Sequence, residues 1–377
     1  MHIAISKTFT ILSIISCMTS LKLFIKRTIS NRPMTLPRGI RPLAAEGGLT
    51  TPPPTPLNDF FRHWQCIALS SSVVSGKPFV QNIGDLPLVL WRHPTTNAIS
   101  ATVNICKHMG SRLDNAKITP KGCLKCQYHG FEYITTDTVG QIAEHEGKVF
   151  WSYKPHRPAP HSIPYYHNTE YETSHLQIDM EASLIDSALN TMDIRHPEYV
   201  HSMGFGSNNP PQNIKQFVYD NKHIPSVGLS FDYISNGVMR TLNDQVKTTQ
   251  NFHMYVYPTF SWSHVKFSRK SLIIGVNLLP LAPDRTRWFI TIVHNYYKSD
   301  IGKRFMQTLA STILNQDYKQ MRNQATESPL KRAMLFDKVF DDEEAVVDLH
   351  RLFQKYRYPD INSVVDLYRD AQNTSNK

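Results

Sequence analysis

Cys106, His108, Cys126 and His129 stand in the order C-x-H-x17-C-x2-H, and this pattern constrains the chain more than any other feature. Two short knuckles of metal-type donors must be brought to one place, so the chain between them has to fold back on itself. Gly110 and Gly130 follow the knuckles, where tight turns favour a residue without a Cβ. Pro87–Arg92 and Ile99–Ile105 are apolar or β-branched runs joined by a polar turn, the pattern of paired strands. The second run delivers Cys106 at its end, and His129–Ile134 is a further strand candidate. The expectation is an all-β module carrying metal loops at one tip.

Two Cys and two His in this order are the ligand set of a Rieske [2Fe–2S] centre, in which one iron takes two thiolates and the other two imidazoles. Neutral imidazole in place of thiolate makes the cluster less negative and raises its potential, so a chain with this set accepts and passes single electrons. Structural zinc is the competing reading, because Cys123 and Cys126 also form a C-x2-C. Zinc would use Cys106, Cys123, Cys126 and a histidine. The cluster uses both knuckles at once and leaves Cys123 spare, and it is the preferred reading.

A net charge of +10 would ordinarily suggest nucleic acid or a membrane surface, but its distribution argues otherwise. Residues 1–45 hold seven of the 41 Lys and Arg and no acid, which leaves 34 basic against 31 acidic side chains in the body. No nucleic-acid partner is expected, and at most a peripheral membrane contact. Thr8–Met18 is a short apolar stretch followed by a basic, hydroxyl-containing run, which fits a targeting segment removed on arrival. It is too short and interrupted to be assigned as a membrane span. Five Cys in 377 residues do not form a disulfide framework, and a redox cluster fits an organelle such as a plastid better than an oxidising exterior. Thr51–Pro56 reads as a stiff linker.

A second constellation lies at Asn190, Asp193, His196 and His201, spaced N-x2-D-x2-H-x4-H. Asn190, Asp193 and His196 recur every three residues, so one helix would put them on one face. Pro197 suits the first position of a new turn carrying His201, and a break there lets both imidazoles converge. Two imidazoles and one carboxylate form the facial triad of non-haem Fe(II), which leaves open positions for O₂ and substrate. Phe305–Met321 has helical periodicity with Met306, Leu309, Ile313, Asp317 and Met321 on one stripe. A carboxylate on an apolar stripe is costly unless paired or metal-bound, so Asp317 is the third-ligand candidate. The acidic run Asp341–Glu344 competes, but such a run more often starts a solvated helix. Strand candidates at Asn251–Val265, Ser271–Leu281 and Thr286–Tyr297, with helices near 180–202 and after Ile301, indicate a large antiparallel sheet flanked by helices. The first two are expected to line a pocket, with His253, Tyr255 and Tyr257 on one face.

With both motifs in this order the chain resembles the Rieske non-haem iron oxygenases, from about Asn58 to Gln324. The resemblance includes Phe61–Trp64, Pro87–Arg92, both knuckles, the N-x2-D-x2-H-x4-H motif and Gln316-Asp317. It implies an α+β chain: an N-terminal all-β Rieske [2Fe–2S] domain plus a C-terminal catalytic domain with an antiparallel sheet flanked by helices. The division expected is a targeting segment at 1–45, a linker at 46–57, a Rieske domain at 58–160 and a mononuclear iron domain at 161–370. By resemblance, Cys106, His108, Cys126 and His129 hold the cluster, while His196, His201 and Asp317 hold the mononuclear Fe(II). Asp193 occupies the place of the family's bridging aspartate, which links the iron to a Rieske histidine of a neighbouring subunit in a homotrimer. Asn190 stands beside the iron. The family takes electrons from a ferredoxin or reductase and uses O₂ on a small apolar organic substrate. The stretch from Thr312 to Gln324 looks most like the branch of chlorophyllide a and pheophorbide a oxygenases, which act in plastids. The knuckle wording and the polar C-terminus depart from that branch, so a sterol is the alternative substrate. The rival class is a Rieske electron-transfer or regulatory protein without a working mononuclear site.

Overall fold

The computed structural model describes residues 59–135, 137–205, 210–219, 224–234, 248–267, 269–324 and 344–356. The expected targeting segment and linker, the carboxylates Asp341–Glu343 and the polar tail after Asp370 lie outside these residues.

Three small antiparallel sheets build the first module. One joins β1 (Gln65–Leu69), β9 (Lys148–Ser152) and β8 (Gln141–His145). Another joins β2 (Phe79–Ile83), β3 (Leu86–Arg92) and β4 (Ile99–Val103). The third joins the two-residue strands β5 (Lys117–Ile118), β6 (Leu124–Lys125) and β7 (Glu132–Tyr133). Every residue of β3 except Pro87 is buried, which is why it reads as a continuous apolar run rather than an alternating one. Trp91 Nε1 donates to Gly122 O at 3.0 Å and ties β3 to the sheet that carries the metal loops.

A seven-stranded antiparallel sheet forms the second domain, in the order β10, β16, β15, β14, β13, β12, β11. Its strands are β10 (Glu172–Met180), β11 (Gln212–Tyr219), β12 (Ser226–Ile234), β13 (Thr248–Val256), β14 (Phe260–Phe267), β15 (Lys270–Ala282) and β16 (Arg285–His294). The last six run as a meander, and β10, which a helical excursion separates from β11, pairs beside β16. The expected single strand over 251–265 is two strands. Pro258 lacks the N–H a ladder needs, and Tyr257 N–H bonds Pro225 O at 2.9 Å instead, so the chain turns there.

The helices are α1 (Leu184–Met192), α2 (His196–Val200), α3 (Ser202–Phe205), α4 (Asp300–Arg322) and α5 (Glu344–Tyr356). Ser183 caps α1: its Oγ accepts Asp186 N–H at 3.1 Å and donates to Asp186 Oδ2 at 2.8 Å. Ser299 caps α4 by accepting Gly302 N–H at 3.2 Å. Gly302 is needed there, because a Cβ would lie 2.4 Å from Tyr297 O. One hydrophobic core runs from Phe60, Phe61 and Ile67 of the first module, through Leu278 and Phe289 of the sheet, to Met306 and Met321 of α4 and Leu349 of α5. Lys148 Nζ on β9 donates to Thr291 Oγ1 on β16 at 2.8 Å and links the two parts across their buried contact. The α+β class, with an all-β module and a helix-flanked antiparallel sheet, is thus the observed architecture. Among the described residues no helix is long and apolar enough to cross a membrane.

Candidate metal centres

The two knuckles adopt one hydrogen-bond pattern. Cys106 N–H donates to Ser111 O at 2.7 Å and Gly110 N–H to Cys106 O at 2.8 Å. Cys126 N–H donates to Phe131 O at 2.9 Å and Gly130 N–H to Cys126 O at 3.0 Å. Both glycines have positive φ, +71° and +74°, where a Cβ is disfavoured. The histidine falls two residues after the first Cys and three after the second, so the loops face each other with different registers. Their rings lie 4.7 Å apart at 82°. Cys106 and Cys126 are buried, at 3% and 2% exposure, whereas His108 and His129 are exposed. Burial alone would raise the Cys106 thiol. Hydrogen bonds from the His108 and Met109 amides, the Tyr133 hydroxyl and Cys126 hold it below the ordinary range.

A single tetrahedral ion would need several of these donors close together, roughly 4 Å apart with zinc–sulfur bonds near 2.3 Å. Among the described residues, no three of Cys106, His108, Cys123, Cys126 and His129 bring ligand atoms within 4.8 Å of one another. A pair of thiols beneath a separate pair of imidazoles fits a dinuclear cluster and not one zinc. These four side chains could hold a [2Fe–2S] cluster, with the two thiols buried and the two imidazoles at the surface.

The second site is built where α1 ends. The helix does not carry Asn190, Asp193 and His196 on one face, as their spacing suggests. It stops at Met192, and Asp193 is extended at φ −71°, ψ 113°. Asp193 Oδ1 accepts the N–H groups of Arg195 at 2.8 Å and His196 at 3.1 Å, which starts the next turn. Pro197 sits in the first turn of α2, and His201 closes it by donating its N–H to Pro197 O at 3.1 Å. The imidazoles of His196 and His201 then lie 5.1 Å apart at 78°. Asp317 reaches them from α4, with Oδ1 3.5 Å from His196 Nε2 and 3.0 Å from His201 Nε2.

The proton positions on these rings decide what the site wants. His196 Nδ1 lies 3.0 Å from Asp193 O, a carbonyl that can only accept. His201 Nδ1 lies 2.9 Å from Gln316 Oε1. Both Nδ1 atoms therefore donate, and each ring turns its Nε2 toward the same carboxylate oxygen. Burial keeps His196 below the ordinary imidazole range. Burial also opposes charge on His201, but Asp317 and Gln316 outweigh it and raise that ring. Asp317 Oδ1 is buried and has no hydrogen-bond partner of proper geometry. Two lone pairs and an orphaned anionic oxygen call for a cation between them, and one proton on His201 would still leave His196 unserved. His196, His201 and Asp317, all within 4.8 Å of one another, fit a divalent iron.

An apolar cavity of about 1020 Å³, counted out to its open mouth, leads to this site. Its walls are Leu272, Ile274 and Val276 of β15, Trp288, Ile290 and Ile292 of β16, and Met306, Leu309, Ala310, Ile313 and Leu314 of α4. Asn190, Thr191, His253, Ser261 and Ser263 add polar groups. Of His253, Tyr255 and Tyr257, which alternation puts on one face, only His253 lines the cavity, and both tyrosines pack in the core. Phe260 and Trp262 pack in the core on the other face, and His264 bonds Ser271 Oγ at 3.1 Å. Burial pushes His253 down to about 4, so it is neutral. Gln316 is the polar residue whose role the pattern does not reveal, because only the fold brings it to a histidine 115 positions away.

Residues 63–152 match the family model for the Rieske [2Fe-2S] domain. A stretch of 82 residues is 26% identical to pheophorbide a oxygenase, chloroplastic, of Oryza sativa subsp. japonica, covering 22% of this chain. The match spans only 16% of that relative's length. The structure is similar to that of dicamba monooxygenase bound to dicamba, with a TM-score of 0.65 and 16% identity over 79% of this chain and 97% of the other. It is also similar to a mutant of NdmA from Pseudomonas putida CBB5 with theobromine, with a TM-score of 0.62 and 13% identity over 80% and 92% of the two chains. At these identities the likeness is one of fold.

Proposed function

The chain carries a Rieske [2Fe–2S] domain within the fold of the Rieske non-haem iron oxygenases, and on that premise we propose that it is an oxygenase acting on an apolar organic substrate with O₂ and external electrons. The observation that carries this reading is the convergence of His196 Nε2, His201 Nε2 and the orphaned Asp317 Oδ1 at the end of an apolar cavity. A bare electron carrier has no use for it.

A ferrous ion held by these three side chains would supply the binding and activation of O₂. The protein's own contributions can be read residue by residue. Asp193 O and Gln316 Oε1 fix the two rings with Nε2 inward. The aliphatic walls of β15, β16 and α4 bind an apolar body and keep water away from the reacting face. Cys106, His108, Cys126 and His129 would hold the cluster, and His108 and His129 are exposed where an external ferredoxin or reductase can reach them. Asp193 is the bridging carboxylate. Its side chain is 32% exposed while its backbone carbonyl holds His196, so it can meet a neighbouring chain on one side and the iron ligand on the other. That arrangement suits a homotrimer.

The finer substrate proposal is a chlorophyll-type tetrapyrrole in a plastid, supported by the pheophorbide a oxygenase relative and the basic N-terminal segment. The aliphatic cavity also suits a sterol. Electron paramagnetic resonance on anaerobically reduced protein, with and without nitric oxide, tests the core of the reading. A Rieske signal together with a high-spin ferrous–nitrosyl signal is expected. A Rieske signal alone, in iron-replete protein, sinks the oxygenase and leaves an electron carrier.

A further inference from the structure

Another set of metal-type donors lies apart from both sites. Asp59, His63 and His156 bring one carboxylate oxygen and two imidazole nitrogens within 4.8 Å of one another. His156 Nε2 is 2.5 Å from Asp59 Oδ1, and His63 Nε2 is 3.6 Å from Asp59 Oδ2. All three side chains are at least nine-tenths buried, with exposures of 9%, 9% and 8%. The two rings meet edge to face, 5.4 Å apart at 66°. His63 Nε2 is the informative atom. It is shut off from solvent and has no hydrogen-bond partner, and Asp59 Oδ2 is too distant to serve as one. A buried polar atom left this way is costly, and a ring nitrogen can resolve that by lending its lone pair to a cation.

We propose that Asp59, His63 and His156 form a third metal site, one that holds a divalent cation of the zinc class. The proposal stands independently of the oxygenase reading. Two imidazoles and a single carboxylate suit Zn²⁺, Co²⁺ or Fe²⁺, whereas Mg²⁺ and Ca²⁺ require mostly oxygen donors. Arg62 and Arg157 line the small cavity beside the site. Their charge opposes any cation here, so only direct coordination by the three donors could hold one.

The location gives the ion its role. Asp59 and His63 bracket the turn Phe60–Arg62 where the chain enters the first module. His156 stands where the chain leaves it, with its N–H donating to Arg62 O at 3.1 Å, and Tyr153 N–H donates to Phe61 O at 2.7 Å. The His63 ring also packs edge-on against Tyr257, at the β13–β14 turn of the second domain, 5.7 Å away. An ion here clasps the entrance and exit of the cluster-bearing module beside the second domain, whose helices α2 and α4 carry the other candidate metal ligands.

The test must exclude zinc capture by the site beneath α4, so it starts from full-length His201→Ala. That protein, with its cluster intact, is loaded with Zn²⁺, desalted and assayed by elemental analysis and zinc-edge X-ray absorption. About one zinc per chain with nitrogen and oxygen ligands only is expected. Adding His63→Gln, or separately Asp59→Asn, should remove the zinc while leaving the visible cluster absorbance unchanged. The starting variant folds independently of these second changes, so its own zinc content is decisive. Zinc below about a tenth of an equivalent in it, sulfur in the zinc shell, or a content unmoved by either second change overturns the proposal.

Discussion

Replacing Tyr133 with Phe removes one oxygen beside the cluster loops and leaves the ring in place. Tyr133 is fully buried, its hydroxyl accepts Lys107 N–H at 2.7 Å, and it also hydrogen-bonds the Cys106 sulfur. A donor to a sulfur ligand stabilises the more negative, reduced cluster more than the oxidised one, so its loss lowers the potential. A hydrogen bond to a charged group is worth about 1.5–3 kcal/mol. If half of that is the difference between the two redox states, the conversion of ~59 mV per ~1.4 kcal/mol gives a drop of roughly 30–65 mV. Loss of the Lys107 amide's bond to this hydroxyl should separately cost about 1–2 kcal/mol of stability. A redox titration followed by the visible circular dichroism of the cluster measures the first quantity. Tyr128→Phe is the control: Tyr128 is 62% exposed and tilted against the His129 ring, so its potential should stay within ~10 mV of the parent. A Tyr133→Phe potential equal to or above the parent's would refute the assignment of this hydroxyl to the thiolate side of the cluster.

Three further outcomes are expected. Gln316→Ala frees the His201 ring to rotate, and iron affinity at the site beneath α4 should fall about 10–100-fold while the Rieske signal persists; iron retention equal to the parent's would mean the amide does not orient the ring. Asp193→Asn should leave both centres loaded but slow oxidation of the reduced cluster by O₂ and substrate by about two orders of magnitude in single-turnover experiments, and full turnover rules the bridge out. His161, His175 and His264 are held by burial at about 3, about 4 and about 4. Their folded values lie below the unfolded one, so the native state binds fewer protons and stability is lost as pH falls from about 6.5 toward 4, by roughly 3–5 kcal/mol in total at pH 5 after discounting for partial exposure. Urea denaturation at pH 7 and pH 5 measures this, and equal stabilities would show that these rings ionise in the folded protein.

The two knuckles are legible in the chain because each packs its ligands and its turn glycine into a few residues. Asp317 is legible for a different reason: a carboxylate on the stripe of Met306 and Met321 contradicts its neighbours unless something binds it. The geometry between these points is not local. A three-residue spacing reads as one helix through Asn190, Asp193 and His196. The Asp193 carboxylate instead captures the amides of Arg195 and His196, and this competes with helix continuation. On β15 and β16 both faces are buried, so alternation cannot tell cavity wall from core, and Leu272, Ile290 and Ile292 look like any packed strand residues. Asp59 and His156 stand 97 positions apart, and only the closure of the module places them together.

The break at Asp193 is the point on which the proposed chemistry turns. A continuous helix would carry His196 about one turn beyond Met192 on the α1 axis, with its backbone N–H spent on the helix ladder. Ending α1 at Met192 does three things at once. It frees the Asp193 carbonyl to accept from His196 Nδ1, which leaves Nε2 bare toward Asp317. It starts α2 at the residue before Pro197, so His201 follows within one and a half turns and faces the same carboxylate. It also leaves the Asp193 side chain partly exposed, as His108 and His129 are at the other centre. One residue thus sets the tautomer of a proposed iron ligand from its backbone and offers a charge to the surface from its side chain. Loss of the charge alone, with an acceptor oxygen kept for the Arg195 and His196 amides, should break only the second role. Asp193→Asn, whose amide oxygen can still accept the Arg195 and His196 N–H groups, is therefore more diagnostic of the bridge than any change that disturbs the turn.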